Sequence, residues 1–461
     1  MRPLHEKVTR YFAALRGKRV LVLGLGVSNR PLARLLIESG ALVTGCDRGE
    51  TPDPEILALR ERGMELRLGP DYLKNLSGEI AFRTPGMRPD LPELEALRNA
   101  GTVMTSEMEA FFEVCPCPII GVTGSDGKTT TTTLISEILK RAGKTVWLGG
   151  NIGAPLLPLA HKMQPSDTAV VELSSFQLLD MKRSPRVAVV TNLAPNHLDV
   201  HRDMAEYVAA KENIFRFQGP EDIAVFNEDN EITSAFSQRA KGKTLTFSRK
   251  NRPVRGVYLE DDTIYRAGPE PQKLFDRREI LLPGLHNVEN YMAAICATAG
   301  MVPDEAAREV ARTFGGVEHR IELVREKDGV RFYNDSIASS PSRTIAGLRS
   351  FSEKLILIAG GYDKHIPYDV LGPEIVSHVK TLVLTGATAG KIKAAVMAAP
   401  GYQAGSPEIM ETDDFFDAIR TAARLSKPGD VVMLSPASAS FDHFKNFMER
   451  GNAFKKAVWE L

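Results

Sequence analysis

The chain has 461 residues, room for about three domains at roughly 100–200 residues each. With 43% hydrophobic and 25% charged residues, 37 Gly and 28 Pro, it falls outside the disordered, collagen-like and low-complexity classes. Its 58 basic and 58 acidic side chains cancel, which excludes a global polycation built for nucleic acid or an anionic membrane.

From the N-terminus, MRPLHEKVTRYFAALRGKR is basic but has no apolar core and no small-residue cleavage site, so it does not read as a leader. No window approaches ~18 uninterrupted apolar residues, so no membrane span is expected. Arg19–Gly24 is a short apolar run of the kind buried in a parallel sheet. Helical spacing from Pro31 ends at Gly40, and a second strand covers Ala41–Asp47, completing a βαβ unit. A new βα series opens with the strand at Pro118 and continues through Thr168–Leu173, Val187–Asn192 and Ile223–Asn227. After Gly315-Gly316 a third series comprises Ile321–Arg325, Val330–Asn334, Leu355–Gly360, Thr381–Leu384 and Val431–Ser435. The strand-then-helix order predicts three tandem α/β domains, over 1–113, 114–316 and 317–461: Rossmann-like, P-loop ATPase-like and Rossmann-like. No fixed-period repeat is present. Cys46, Cys115, Cys117 and Cys296 are too few and too irregular for a disulfide framework, and Cys115-Pro-Cys117 lacks the two-residue gap of a redox or zinc pair. Reduced thiols in a cytoplasmic protein are expected.

The most specific motif is Gly121-Val-Thr-Gly124-Ser125-Asp126-Gly127-Lys128-Thr129-Thr130, which follows a strand and opens the helical stretch Thr131–Arg141. Glycines let backbone N–H groups close around phosphate, a helix start adds positive potential, Lys128 reaches terminal phosphates and Thr129 can ligate Mg²⁺. The spacing is a variant, Gly-x-x-Gly-x-x-Gly-Lys-Thr. A glycine-rich turn capping a helix is the bland alternative, but chance seldom supplies strand, glycines, Lys-Thr and helix in that order. Gly24-Leu-Gly26-Val27-Ser28-Asn29 is weaker: it has two glycines of the dinucleotide fingerprint, Asn29 at the third position and Asp47 near the ribose-reading position. On this motif alone a structural turn is as good a reading as a ligand site.

Together with the loop, Glu172-Leu-Ser-Ser-Phe-Gln177, Thr191-Asn-Leu-Ala-Pro-Asn-His197-Leu-Asp199, Lys211, Leu285-His-Asn287-Val-Glu-Asn290 and His319-Arg320 resemble the Mur ligases. These are three-domain, ATP-dependent amide-forming enzymes of peptidoglycan precursor synthesis. Asn334-Asp-Ser336 and Leu434–Phe447 are most similar to the member that joins D-glutamate to UDP-N-acetylmuramoyl-L-alanine.

The resemblance implies a monomer that closes around its substrates. It implies ATP residues at Gly124, Ser125, Asp126, Gly127, Lys128, Thr129, Thr130, Asn287, Asn290 and Arg320. It implies two Mg²⁺ ions served by Thr129, Glu172, His197 and Lys211, the last as a carbamate made from CO₂, and it makes Lys128, Glu172, His197 and Lys211 catalytic. The UDP-substrate end would use Val27, Ser28, Asp47, Arg48, Gly86, Asn151 and His197, and D-glutamate would meet Ser339, Lys364, Ser440, Phe441 and Phe447.

Taken alone, several of these residues have plainer readings. Lys211 is a solvated helical lysine, Glu172 a strand-end charge, His197 a satisfied loop histidine and Arg320 a surface cation. Asn287 and Asn290 are helix-start polar groups, and Phe441 and Phe447 are core.

The chain also departs from the family pattern. Ile337, Ser339 and Ser340 stand where Lys, Thr and Asn are commoner, which removes a cation from a phosphate-rich site. Asn196 replaces a frequent aspartate, and Arg48 follows Asp47 directly. The rival readings are a sister ligase adding another amino acid, a folylpolyglutamate synthetase and a non-enzymatic nucleotide-binding regulator. The N-terminal Gly24–Gly26 domain argues against the folate enzyme, and Glu172, His197 and Lys211 argue against mere binding.

Overall fold

The computed structural model describes residues 6–197 and 200–461; Leu198 and Asp199 of the His197 motif, and the first five residues, lie outside the described residues. Three sheets follow one another along the chain. The first is parallel and contains β1 (Arg19–Leu23), β2 (Leu42–Asp47), β3 (Glu65–Leu68), β4 (Ile80–Arg83) and β5 (Val103–Thr105), in the order β3-β2-β1-β4-β5. Four of the five residues of β1 are buried because helices cover both faces, which is why the strand reads as an unbroken apolar run.

The second sheet comprises β6 (Ile119–Thr123), β7 (Val146–Gly150), β8 (Thr168–Glu172), β9 (Val187–Val190), β10 (Ile223–Asn227), β11 (Lys243–Ser248), β12 (Gly256–Glu260), β13 (Thr263–Ala267) and β14 (Gln272–Asp276). Its order is β14-β13-β12-β11-β10-β9-β6-β8-β7, parallel up to β12 and antiparallel for β12, β13 and β14. The phosphate-loop strand β6 therefore lies between β9 and β8. This puts a topological switch point at its C-terminal end, where ligands of open α/β sheets bind.

The third sheet comprises β15 (Glu322–Lys327), β16 (Val330–Asn334), β17 (Leu355–Ala359), β18 (Val379–Leu384), β19 (Glu408–Glu411) and β20 (Val431–Leu434). Its order is β15-β16-β20-β17-β18-β19, with only β15 antiparallel to its neighbour.

The expected mixed α/β class is observed, with more strands than expected: β3, β4, β5, β7, β11 and β19 complete the three sheets. The extension β12–β14 was not anticipated, and the helix after the phosphate loop begins at Lys128 rather than Thr131, so Lys128 and Thr129 occupy its first turn.

By contact the chain forms two compact units: residues up to Glu279 with Glu289–Val310, and Ile280–Val288 with Ala311–Leu461. The first two sheets share one unit and one apolar core, which runs from Val22, Leu32 and Phe82 to Phe111, Leu157, Ala169 and Ile214. Polar ties join them as well. The Arg83 guanidinium, 3% exposed, donates to the carbonyls of Thr84, Pro85 and Met87 and to the Asp180 carboxylate. Arg88 forks onto Asp90 (2.8 Å) and Glu206 (2.9 Å) and also donates to Val200 O. Among the described residues no helix is long and apolar enough to cross a membrane.

Glu107, on the helix Glu107–Val114, accepts from Leu157 N at 2.9 Å. Burial pushes its carboxyl up to about 7, against the pull of the Leu157 and Leu156 N–H groups. A raised carboxyl stabilises the fold while it is protonated. Its contribution is complete below the unfolded value and is lost as pH rises through about 7. Relative to the wild type, Glu107→Gln is therefore expected to gain up to about 3 kcal/mol of unfolding free energy between about pH 4.5 and pH 7. Urea unfolding of both proteins across that range checks it.

Candidate active site

β6 ends at Thr123, and the chain turns through Gly124–Gly127 into the helix Lys128–Arg141. The turn is built for glycine. Gly124 has φ +152°, and a Cβ there would sit 1.9 Å from Thr191 Oγ1; Gly127 has φ +76°, and its Cβ would meet Asn290 Oδ1 at 2.3 Å. Asn290, expected on the adenine side, thus closes against the loop, and its Oδ1 accepts from Thr131 at 3.2 Å. Helix starts leave their first N–H groups outside the intrahelical ladder, and here that turn carries Lys128, Thr129 and Thr130.

Two of the residues expected at the phosphates also tie the loop down. Ser125 donates its N–H to Asn192 O (2.8 Å), and its hydroxyl is tied to Ala194 and to Tyr207 Oη (2.9 Å). Asp126 N–H donates to Asn192 Oδ1 at 3.0 Å. These two residues brace the loop against segment 191–194, with their N–H groups already used.

The loop gathers the expected cations and carboxylate. Lys128 Nζ curls onto Gly124 O (2.9 Å) and Ser125 O (2.8 Å). Lys211 projects from the helix Met204–Arg216, is 1% exposed, and donates to the same Gly124 O (2.9 Å) and to Thr123 Oγ1 (3.0 Å). Burial holds its amine well below the usual lysine range; the neighbouring Lys128 charge adds to this, and Glu172 and Asp126 oppose it.

At the end of β8, Glu172 is 2% exposed and accepts from Thr129 Oγ1 (2.7 Å) and Asn151 Nδ2 (2.9 Å). The Ser174 and Gln177 side chains of the same motif form a capping box that starts the next short helix, and this fixes the turn after Glu172. A buried carboxylate beside a threonine hydroxyl is a hard-oxygen donor set and fits Mg²⁺. Among the described residues no three His, Cys, Asp or Glu side chains converge as a ready cage.

His197 has φ +54° and is exposed, with its ring edge on Phe176 at 5.1 Å. Phe176 stacks on buried His201 (5.4 Å), whose Nε2 meets Ser175 Oγ at 2.9 Å and whose ring packs on Tyr207 (5.3 Å). Lys211 Nζ lies 5.0 Å over the Tyr207 ring, which completes an aromatic column from His197 to Lys211. Phe176, His201 and Tyr207 were missed from sequence. The available signal was Tyr207 at i−4 from Lys211 on one helix face.

In the first sheet, Gly24 has φ +87° and Asn29 Nδ2 donates to Gly24 O (2.8 Å), so asparagine ties the turn at the position where the dinucleotide fingerprint has its third glycine. The Asp47 carboxylate accepts from Leu25 N (2.7 Å) and Gly49 N (2.9 Å), which is a turn-holding role. Val27 is 81% exposed, Ser28 precedes the helix Asn29–Glu38, Arg48 follows β2, and Gly86 lies in the loop whose carbonyls Arg83 holds.

In the second compact unit, Asn287 donates to Pro283 O (2.7 Å). Lys364 and Arg320 are exposed, Ser440 is buried, and Ser339 is half-buried beside Ile337. The two phenylalanines part company. Phe441 is 61% exposed with its ring edge on Tyr362 (5.8 Å), whereas Phe447 packs against buried His319 (6.0 Å) at the start of the last helix. Asp335 is buried, and burial pushes it up to about 7 against the Ser435 hydroxyl and the charges of Arg320 and Arg343.

Residues 122–298 match the Mur ligase middle domain, and residues 319–438 match the Mur ligase glutamate ligase domain. The chain belongs to the Mur ligase family, ATP-dependent enzymes that form amide bonds. It is 52% identical, over 99% of each chain, to UDP-N-acetylmuramoylalanine--D-glutamate ligase of Acetivibrio thermocellus. It is 50% identical to the enzyme of the same name from Clostridium kluyveri, over 96% of this chain and 97% of that one. In fold it is similar to UDP-N-acetylmuramate-alanine ligase of Thermotoga maritima, with TM-score 0.58 and 18% identity over 96% of this chain and 99% of that one.

Proposed function

We propose that the chain joins D-glutamate to UDP-N-acetylmuramoyl-L-alanine at the expense of ATP, releasing ADP and phosphate. The observation that carries this reading is end-to-end identity near one half with ligases of that name, on a chain whose phosphate loop holds two lysines and a buried glutamate together. The substrate carboxylate attacks the γ-phosphorus of ATP, giving an acyl phosphate and ADP. The D-glutamate amine then attacks the acyl carbon, phosphate leaves, and the amine proton passes to solvent.

Lys128 is suited to leave its two loop carbonyls and follow the terminal phosphates, while the helix start behind it faces the same charge. Thr129 and Glu172 would hold Mg²⁺, which supplies charge neutralisation at the transferring phosphoryl group. His197 would serve a second ion. Lys211 is buried against another cation, a setting that favours a neutral amine. A neutral amine can take up CO₂ with loss of one proton, giving an anionic carbamate at the metal site.

The D-glutamate site would lie in the second compact unit, around Ser339, Lys364, Ser440 and exposed Phe441; buried Phe447 would support it through His319. There Arg343 donates to Ile337 O at 3.2 Å, so a guanidinium stands beside the position that lacks the usual lysine. The N-terminal glycine turn would receive the UDP end. The reading includes a monomeric enzyme working in the cytoplasm.

Labelling the substrate's terminal carboxylate with heavy oxygen tests the reaction type. One labelled oxygen should appear in the released phosphate; unlabelled phosphate would rule out the acyl phosphate.

A further inference from the structure

We propose that Cys115 and Cys117 form a redox-active dithiol, which a small disulfide bearing carboxylates converts to an intrachain disulfide. The one-residue spacing gave no such reading, but the fold turns the chain at Pro116 and brings the two sulfurs to 3.6 Å, with Cys115 Sγ also 3.4 Å from Cys117 O. A bond of about 2.05 Å lies roughly 1.5 Å inside that separation. Both thiols line a cavity of about 370 Å³ together with Phe217, Lys182, Arg183 and Arg186, and the lining holds no carboxylate. Glu113 pairs with Arg183 (3.1 Å), Asp222 with Arg186 (2.9 Å), and the Glu109 carboxylate lies beside Lys182, all from outside the lining, so the wall itself presents only cations. A disulfide carrying carboxylates matches that wall.

The two sulfurs are inequivalent. The hydrogen bond from Cys117, with help from Lys7, favours the Cys115 thiolate against burial, and the same bond pushes Cys117 up. Cys115 is the attacking thiol and Cys117 the resolving one. The Cys115 thiolate attacks one sulfur of R–S–S–R, forming a mixed disulfide and expelling one thiolate. Cys117 then loses its proton and attacks the Cys115 sulfur, expelling the second. Two electrons pass from the dithiol to the small disulfide, and the two protons end on the two released thiols. The pair precedes β6 and lies at the opposite end of that strand from the phosphate loop, so this chemistry is separate from ligation.

The test treats the full chain with glutathione disulfide, which bears carboxylates, or with cystamine, which bears ammonium groups. It follows free thiols, intact mass and peptide maps. The expected result is loss of two thiols and two hydrogens per chain, no retained adduct, and a Cys115–Cys117 crosslink. Cys46 and Cys296, buried thiols pushed up to about 12, should stay reduced. Cys117→Ser should instead accumulate a mixed disulfide at Cys115. Glutathione disulfide should react about tenfold faster than cystamine at low salt, and Lys182→Ala should shrink that ratio. An inert pair, a stable adduct on the wild type, a crosslink between chains, or a cystamine rate equal to or above that of glutathione disulfide would overturn the proposal.

Discussion

Lys128→Ala is expected to lower kcat/KM for ADP release by about 10³-fold, equivalent to about 4 kcal/mol of transition-state stabilisation. The size follows from position. The ammonium sits at the start of the helix Lys128–Arg141, held 2.8–2.9 Å from two carbonyls of the loop proposed to cradle the triphosphate. Its removal takes away the mobile cation and leaves Lys211, which is anchored to Thr123 and Gly124 and cannot follow the phosphates. Lys128→Met keeps the stem and should be nearly as inactive, with a nearly unchanged thermal midpoint, because the two bonds it loses are to carbonyls of its own loop and Lys211 still serves one of them. Steady-state kinetics and a melting curve decide it. A variant within about tenfold of the wild type would remove Lys128 from phosphate binding.

The second large effect is expected at Lys211. Lys211→Ala should cost about 10²–10⁴-fold in kcat, with partial recovery on adding formate or acetate, because a small carboxylate can enter the vacated space and supply the missing anion. A buried lysine acting only as a cation would show the opposite pattern, with rescue by a small amine and none by acid. Simple destabilisation would show neither. The geometry disfavours a second ammonium: the Lys211 amine shares Gly124 O with Lys128, and two ammonium groups on one oxygen repel each other unless one is modified or neutral.

Much of this was legible in the sequence because its signals are local. β1, β6, β10 and β16 were read within a residue of their observed bounds, since strands covered on both faces must be apolar throughout. The phosphate loop announced itself by its glycines, and Lys128, Thr129, Glu172 and Lys211 do gather there. What escaped depends on pairings between distant residues. β14, the edge strand, and β13 beside it carry polar residues and are defined by their partners, not by an apolar run. Arg88 and Glu206 are 118 positions apart, and no periodicity links them. Ser125 and Asp126 also donate their N–H groups to segment 191–194, a pairing invisible without the fold. Phe441 and Phe447 share a residue type, and only burial separates a surface ring from a packed one.

The most direct test of the central claim is ADP release with UDP-N-acetylmuramoyl-L-alanine, offering D-glutamate, L-glutamate, L-lysine, meso-diaminopimelate and L-alanine in turn. ADP release that depends on D-glutamate, and on none of the others, is the predicted result. Release supported by a different amino acid would contradict the substrate assignment while sparing the ligase chemistry, and release independent of any amino acid would contradict both.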